Sequence, residues 1–239
     1  ALRDRSLRVA AGLARNGVQP GDRVAVLLTN RHEWPEAFFG IAALGAVCVP
    51  VNVLLRPAEI QHVCSDSGAR CLVADELGSE ALAALDDVPP LVVAVGDVEV
   101  PSGPKVVRWD DLVADAAPAG SITGPDLDQL LILYYSSGTT GLPKAAAHTH
   151  ANVLWNSFHQ VPDLRLTPDD VYLVVPSLSW AAGFHDLTLA LAWIGGRSVL
   201  TPTKGNTPDR LTAMIEEHGA THALLVPTLL RAGDTVLVK

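Results

Sequence analysis

The chain has 239 residues, 49% of them apolar, and a formal charge of −9. That length and apolar share can bury a sizeable core, while an acidic chain with no basic stripe lacks the electrostatic footprint of a nucleic-acid binder. Charge, Gly or Pro interrupts every apolar run well short of the ~18 residues that a membrane-spanning helix needs.

Leu2, Leu7, Val9 and Leu13, set among arginines, predict an amphipathic helix stopped by Asn16-Gly17. Residues 1–15 hold no continuous apolar segment, so they do not read as a secretory signal. After the turn Pro20-Gly21-Asp22, residues 23–28 (RVAVLL) form a short buried strand. A helix follows over 32–47, with Trp34, Phe38, Ile41 and Gly45 near one face and Pro35 in its first turn. Residues 47–55 give a second strand, in which Pro50 marks an edge or a bend. The alternation continues with a helix over 57–65, a strand over 71–74, a helix over 77–85 and a strand over 91–95. A polar turn over 98–104 leads to a strand at 105–109 and a short helix at 110–115, whose Asp110-Asp111 suits the helix dipole.

Residues 116–125 (AAPAGSITGP) carry the clearest loop or linker signal. Next come an apolar strand over 130–135, a glycine-rich segment, and His148-Thr149-His150-Ala151-Asn152, which can open a helix over 153–159. A turn at 162–170, a strand at 171–175, a helix at 183–194 and a strand at 197–200 follow. A helix over 208–218 has Thr207 as N-cap and Gly219 as its stop, and residues 222–226 form a strand before Pro227. Residues 229–239 start a helix and end in a turn and a strand-like run. Short apolar strands alternating with helices predict an α/β fold, its mostly parallel sheet covered by helices on both faces. The expected division is 1–160 and 161–239. Cys48, Cys64 and Cys71 are odd in number and lack metal spacing; they read as reduced core residues of a cytoplasmic protein, and no metal site is expected.

The chemistry concentrates in Ser136-Ser137-Gly138-Thr139-Thr140-Gly141-Leu142-Pro143-Lys144. Two glycines let backbone N–H groups turn toward a ligand, and four hydroxyls and an ammonium add donors. That is the composition of a polyphosphate cradle, and it sits directly after an apolar strand, where open α/β sheets bind ligands. A flexible Ser/Gly/Thr linker is the competing reading. A Walker A loop is excluded: its glycines stand four residues apart and lead into Lys-Ser or Lys-Thr, whereas here Pro143-Lys144-Ala145 follows Gly141. Pro143 also disfavours helix at Leu142, so this loop cannot wind straight into a helix.

Tyr135 through Lys144, followed by Thr149-His150, closely resembles the phosphate loop of the adenylate-forming superfamily. Its members are acyl- and aryl-CoA synthetases, adenylation domains of peptide synthetases and beetle-type luciferases. Ala145 stands where a glycine usually follows the lysine. Residues 21–26 and 45–52 look like the family's N-terminal markers. Residues 170–176, Gly183 and Gly195-Gly196 are similar to the segment lining its acyl pocket, and 221–227 to the strand that follows. The resemblance covers nearly the whole chain, but only as the first part of a family member. It implies stacked, mostly parallel sheets covered by helices, the incomplete large N-terminal domain. The adenine-contacting segment, the ribose-binding carboxylate and the small C-terminal domain with its catalytic lysine have no match and are expected beyond Lys239.

What the resemblance implies is an AMP-forming ligase. It would activate a carboxylic acid, fatty or aromatic, with ATP and Mg2+ and hand the acyl group to CoA as co-substrate. A carrier protein is the alternative acceptor, and a truncated, non-catalytic nucleotide-binding chain is the rival of a different class. Ser136, Ser137, Thr139, Thr140 and Lys144, with the Gly138 and Gly141 backbone, would bind the β and γ phosphates. His150 matches a family position and would help order the loop, whereas His148 is expected to be exposed. In 177–183 (SLSWAAG), where relatives often carry Phe-His-x-x-Gly, Trp180 is a candidate wall of the acyl pocket or else a core tryptophan. Gly183 and His185 are further pocket candidates.

Overall fold

The computed structural model describes residues 2–114, 125–136 and 142–225. Two compact units divide between Leu154 and Trp155. The first carries helix α1 (Leu2–Arg15), strand β1 (Arg23–Leu27), α2 (Glu33–Leu44), β2 (Val47–Pro50), α3 (Pro57–Ser67), β3 (Ala69–Asp75) and α4 (Glu76–Leu82). It continues with β4 (Leu91–Val95), β5 (Lys105–Arg108), α5 (Trp109–Ala114), β6 (Leu130–Ser136), β7 (Lys144–Thr149) and the start of α6 (His150–Asp163).

Its seven strands run in the order β5-β4-β3-β1-β2-β6-β7. All neighbouring pairs are parallel except β6 and β7. The order of strand addition reverses at β1: α2 carries the chain to β2 on one side, while α3 and α4 carry it to β3 and β4 on the other. Because parallel crossovers are right-handed, α2 lies on one face of the sheet and α3 with α4 on the opposite face. Alternation along the strands follows suit. Ala25, Leu27, Val49, Val51, Leu72 and Ala74 pack with Ile60, Val63 and Cys64 of α3 and Leu82 of α4. The alternate residues Val24, Val26, Cys48, Cys71 and Val73, all buried, point the other way. Pro50 is neither at an edge nor at a bend inside a longer strand: β2 is internal and simply ends there.

The second unit contains the rest of α6, then β8 (Val171–Val174), α7 (Ala181–Phe184), α8 (Thr188–Ile194), β9 (Arg197–Leu200), α9 (Pro208–His218) and β10 (His222–Ala223). Its sheet has the order β10-β8-β9, with both pairs parallel. Thr207 caps α9 by accepting from the Arg210 N–H at 3.3 Å, and Gly219 ends the helix with φ +61°. Among the described residues no helix is long and apolar enough to cross a membrane.

Other sequence expectations change: the strands expected over 47–55 and 222–226 are shorter, β2 ending at Pro50 and β10 at Ala223. The helix expected over 183–194 is two short helices, because Leu187 takes φ +63° between them. Pro162, expected in a turn, lies in the last turn of α6. And β7 was not anticipated at all: Ala145-Ala146-Ala147 has no strand signature by composition, so pairing with β6 decides its state. The linker signal at 116–125 falls almost wholly outside the described residues, as do Val226 and 229–239.

Candidate functional site

β6 leaves the sheet interior at Ser136, and the chain returns at Lys144 as its antiparallel partner. Pro143 explains the return: it bars the helical conformation at Leu142, so a strand follows instead of the helix that would complete a P-loop. The register pairs Ser136 with Lys144 and Tyr135 with Ala145. Directly opposed residues present their side chains to the same face, so the Ser136 hydroxyl and the Lys144 ammonium flank the segment between them as donors. Both residues are exposed. Ser137, Gly138, Thr139, Thr140 and Gly141 lie outside the described residues.

The roots of this hairpin are tied to α3. The Tyr135 hydroxyl donates to Asp66 Oδ2 at 2.6 Å. His62 Nε2–H donates to the Pro143 carbonyl at 2.8 Å, and its ring stands edge-on to Tyr135 with centroids 6.3 Å apart. Burial, then the hydrogen bond to Asp66, raises the Tyr135 phenol above its ordinary pKa, so it stays a protonated donor. Neither His62 nor Asp66 stood out in the sequence. Their i, i+4 spacing on one helix face was legible, but nothing local linked that face to residues some seventy positions away.

His150 is the first residue of α6 and is only 8% exposed. Its backbone N–H donates to the Gln129 carbonyl at 3.0 Å. Just before it, Thr149 and Asn152 exchange two hydrogen bonds, Thr149 N–H to Asn152 Oδ1 and Asn152 N–H to Thr149 Oγ1, which fixes the helix start. Burial lowers the His150 pKa, so the ring is neutral at pH 7. Its buried Nε2 has no hydrogen-bond partner among the described residues. His148 differs from expectation: it is half-buried in β7, edge-on to Tyr134.

In the second unit Trp180 is 56% exposed, which removes the core reading and leaves a free indole surface. It precedes α7, where the Gly183 N–H donates to its carbonyl at 3.0 Å. Gly183 is fixed by close approach: a Cβ there would stand 2.1 Å from the Ser177 carbonyl oxygen. His185 is 7% exposed and caps α7. Gln160 of α6 clasps the break after it, its Nε2 donating to the His185 carbonyl at 3.2 Å and its Oε1 accepting from the Leu187 N–H at 2.7 Å. Trp180, Gly183 and His185 thus belong to one short helical turn, with Trp180 facing solvent and the other two buried.

Cys48, Cys64 and Cys71 are free and buried, as expected of core thiols. Burial raises all three pKa values, that of Cys64 to about 12, so none is poised as a nucleophile.

A family model described as AMP-binding enzyme matches residues 1–233. A feruloyl-CoA synthase of Amycolatopsis sp. is 33% identical over 231 residues, which is 97% of this chain and 44% of that protein. A salicyl-AMP ligase / salicyl-S-ArCP synthetase of Mycobacterium tuberculosis is 34% identical over 247 residues, covering 96% of this chain and 41% of that protein. Among solved structures, a benzoate CoA ligase from Burkholderia xenovorans LB400 aligns with a TM-score of 0.81 at 27% identity, covering 95% of this chain and 44% of that one. The chain therefore spans less than half the length of these relatives.

Proposed function

Because the chain belongs to the AMP-binding enzyme family, we propose that it forms the first part of an AMP-forming ligase that activates an aromatic carboxylic acid with Mg·ATP and passes the acyl group to CoA. The observation that carries this reading is the β6–β7 hairpin, whose register sets Ser136 and Lys144 on one face at the two ends of a Ser/Gly/Thr segment. Relatives named for feruloyl, benzoate and coumarate groups support an aromatic acid over an aliphatic one such as the 4-hydroxybutyrate of another relative.

In the first step a substrate carboxylate oxygen bonds to the α-phosphorus as the α–β bridging P–O bond breaks. Pyrophosphate leaves with its electron pair. Charge gathers on the β and γ oxygens in that transition state, so fixed donors aimed there accelerate the step. Ser136, Ser137, Thr139, Thr140 and Lys144, with the Gly138 and Gly141 N–H groups, are the donors this reading assigns. Each hydrogen bond to a charged oxygen contributes roughly 1.5–3 kcal/mol. Mg2+, brought in with the triphosphate, would offset part of the charge that Ser136, Thr139, Thr140 and Lys144 are assigned to bind. In the second step a thiol sulfur bonds to the acyl carbon and AMP departs with the carboxyl oxygen. His150, buried at the start of α6 with its pKa lowered by that burial, orders the chain behind the loop. Trp180, Gly183 and His185 are assigned to the wall of the acid pocket, Trp180 through its exposed ring. A cytoplasmic setting suits three buried free thiols.

Carboxylate-dependent ATP–pyrophosphate exchange tests the reading. In the complete enzyme that contains these residues, exchange should require an aromatic acid. The 239 residues alone should give none, because the segments that the resemblance assigns to adenine, ribose and the catalytic lysine have no match among them. Exchange by the isolated chain, or none by the complete enzyme with any aromatic acid, would overturn it. A second acceptor is favoured by one relative, the salicyl-S-ArCP synthetase. Thioester formation with free CoA against a carrier protein separates the two.

A further inference from the structure

We propose that His62 and Asp66 of α3 are positioning residues for the phosphate loop, clamping the two strands of the β6–β7 hairpin where they enter and leave it. This rests on the assignment of residues 136–144 as that loop. The two side chains are four residues apart, on one face of α3. Asp66 accepts from the Tyr135 hydroxyl at 2.6 Å, one residue before Ser136. His62 donates to the Pro143 carbonyl at 2.8 Å, one residue before Lys144. Ser136 and Lys144 are register partners, so the clamp acts on the residues adjoining both members of one cross-strand pair. The His62 ring also stands edge-on to Tyr135, which makes the three side chains and the Pro143 carbonyl a connected group.

β7 needs such a clamp. Among the described residues it is the outermost strand of its sheet, and Lys144 through Ala147 are exposed. Its alanines bring little apolar area to hold it against β6. Two hydrogen bonds from a helix that is itself packed by Ile60, Val63 and Cys64 fix the hairpin to a rigid part of the fold. Catalysis by fixed donors depends on such support, since a donor that must reorganise during the reaction loses much of its effect.

The test uses Asp66→Ala, Tyr135→Phe, their double variant and His62→Ala in the complete enzyme, with two readouts. Amide hydrogen exchange over 131–136 and 142–149 should quicken about two- to tenfold in each single variant, the range one net hydrogen bond supports. ATP–pyrophosphate exchange should lose a similar factor in kcat/KM for ATP, with KM for the carboxylate unchanged. Tyr135→Phe and Asp66→Ala should not combine, because they break the same bond. Asp66→Asn, which keeps an acceptor oxygen, should restore most of the loss. A merely structural role would lower the melting temperature and leave kcat/KM per folded molecule intact; that result, or amide exchange unchanged in every variant, overturns the clamp. Failure of the functional reading is distinct: the wild type itself would give no pyrophosphate exchange, and the amide exchange would then decide the clamp alone.

Discussion

Ser136, the last residue of β6, is paired in register with Lys144, the first residue of β7, so a hydroxyl and an ammonium lie side by side on one face of an antiparallel hairpin. If these are phosphate donors, their loss should be felt in the chemical step. Lys144→Ala in the complete enzyme should cut the rate of ATP–pyrophosphate exchange by about 10²-fold, the usual cost of one preorganised donor. The double change Thr139→Ala and Thr140→Ala should do the same without altering the far-UV spectrum. An unchanged exchange rate in both proteins rules out the cradle.

Trp180 and Gly183 make opposite predictions from three residues apart. Trp180 is 56% exposed, so Trp180→Ala should change stability by less than about 0.5 kcal/mol. Its effect should fall on KM for the acid, and steady-state kinetics across a series of benzoates and aliphatic acids will measure it. A preference series identical to wild type removes Trp180 from the pocket.

Gly183→Ala should instead destabilise the fold by about 1–3 kcal/mol, because the new methyl would lie 2.1 Å from the Ser177 carbonyl oxygen and backbone must move. Urea denaturation reads this directly. A midpoint equal to wild type would mean that the 177–183 turn relaxes freely.

His150 gives a pH dependence with a defined sign. Burial lowers its folded-state pKa, so between that value and about 6.5 the unfolded chain binds the proton and the folded chain does not. The stability tied to its neutral state is complete above about pH 6.5 and is lost as the pH falls toward the folded value. Denaturation at pH 7.5 and pH 5.5 should show the loss, and His150→Asn should flatten that part of the profile. Equal slopes in the two proteins would refute the assignment.

Asp75 anchors the carboxyl end of β3. Its carboxylate, 1% exposed, accepts from the Thr29 N–H at 2.8 Å, the Thr29 hydroxyl at 2.6 Å and the Gly78 N–H at 3.2 Å. Asp75→Ala leaves three donors without their acceptor and should cost about 3 kcal/mol. Asp75→Asn should cost less, since it retains one acceptor oxygen. Chemical denaturation of the two variants distinguishes them.

Periodicity carried the fold far. The run 91–95 is short, apolar and bounded by turn residues, and 197–200 is set between Gly195-Gly196 and Thr201-Pro202; both are strands with those bounds. Residues 208–218, opened by Thr207-Pro208 and closed by Gly219, form the expected helix. The misses have a common cause. Ala145-Ala146-Ala147 is helix-compatible by propensity and becomes β7 only because β6 offers it a hydrogen-bonding edge. Residues 183–194 are apolar enough for one helix, but Gln160 holds the break before Leu187, and no local signal announces a distant clasp.

By itself the sequence determined the α/β alternation, the exclusion of a Walker loop and the family, since those rest on local spacing: glycine positions, a proline before a lysine, strands set by apolar runs. Only the tertiary structure decided that the loop's strands form an antiparallel hairpin, that Ser136 faces Lys144 and that His62 and Asp66 grip its roots. Those relations join residues as many as eighty-one positions apart. Such contacts are fixed by the register of the sheet and the face on which a crossover helix lands, and neither is written in any one stretch of chain.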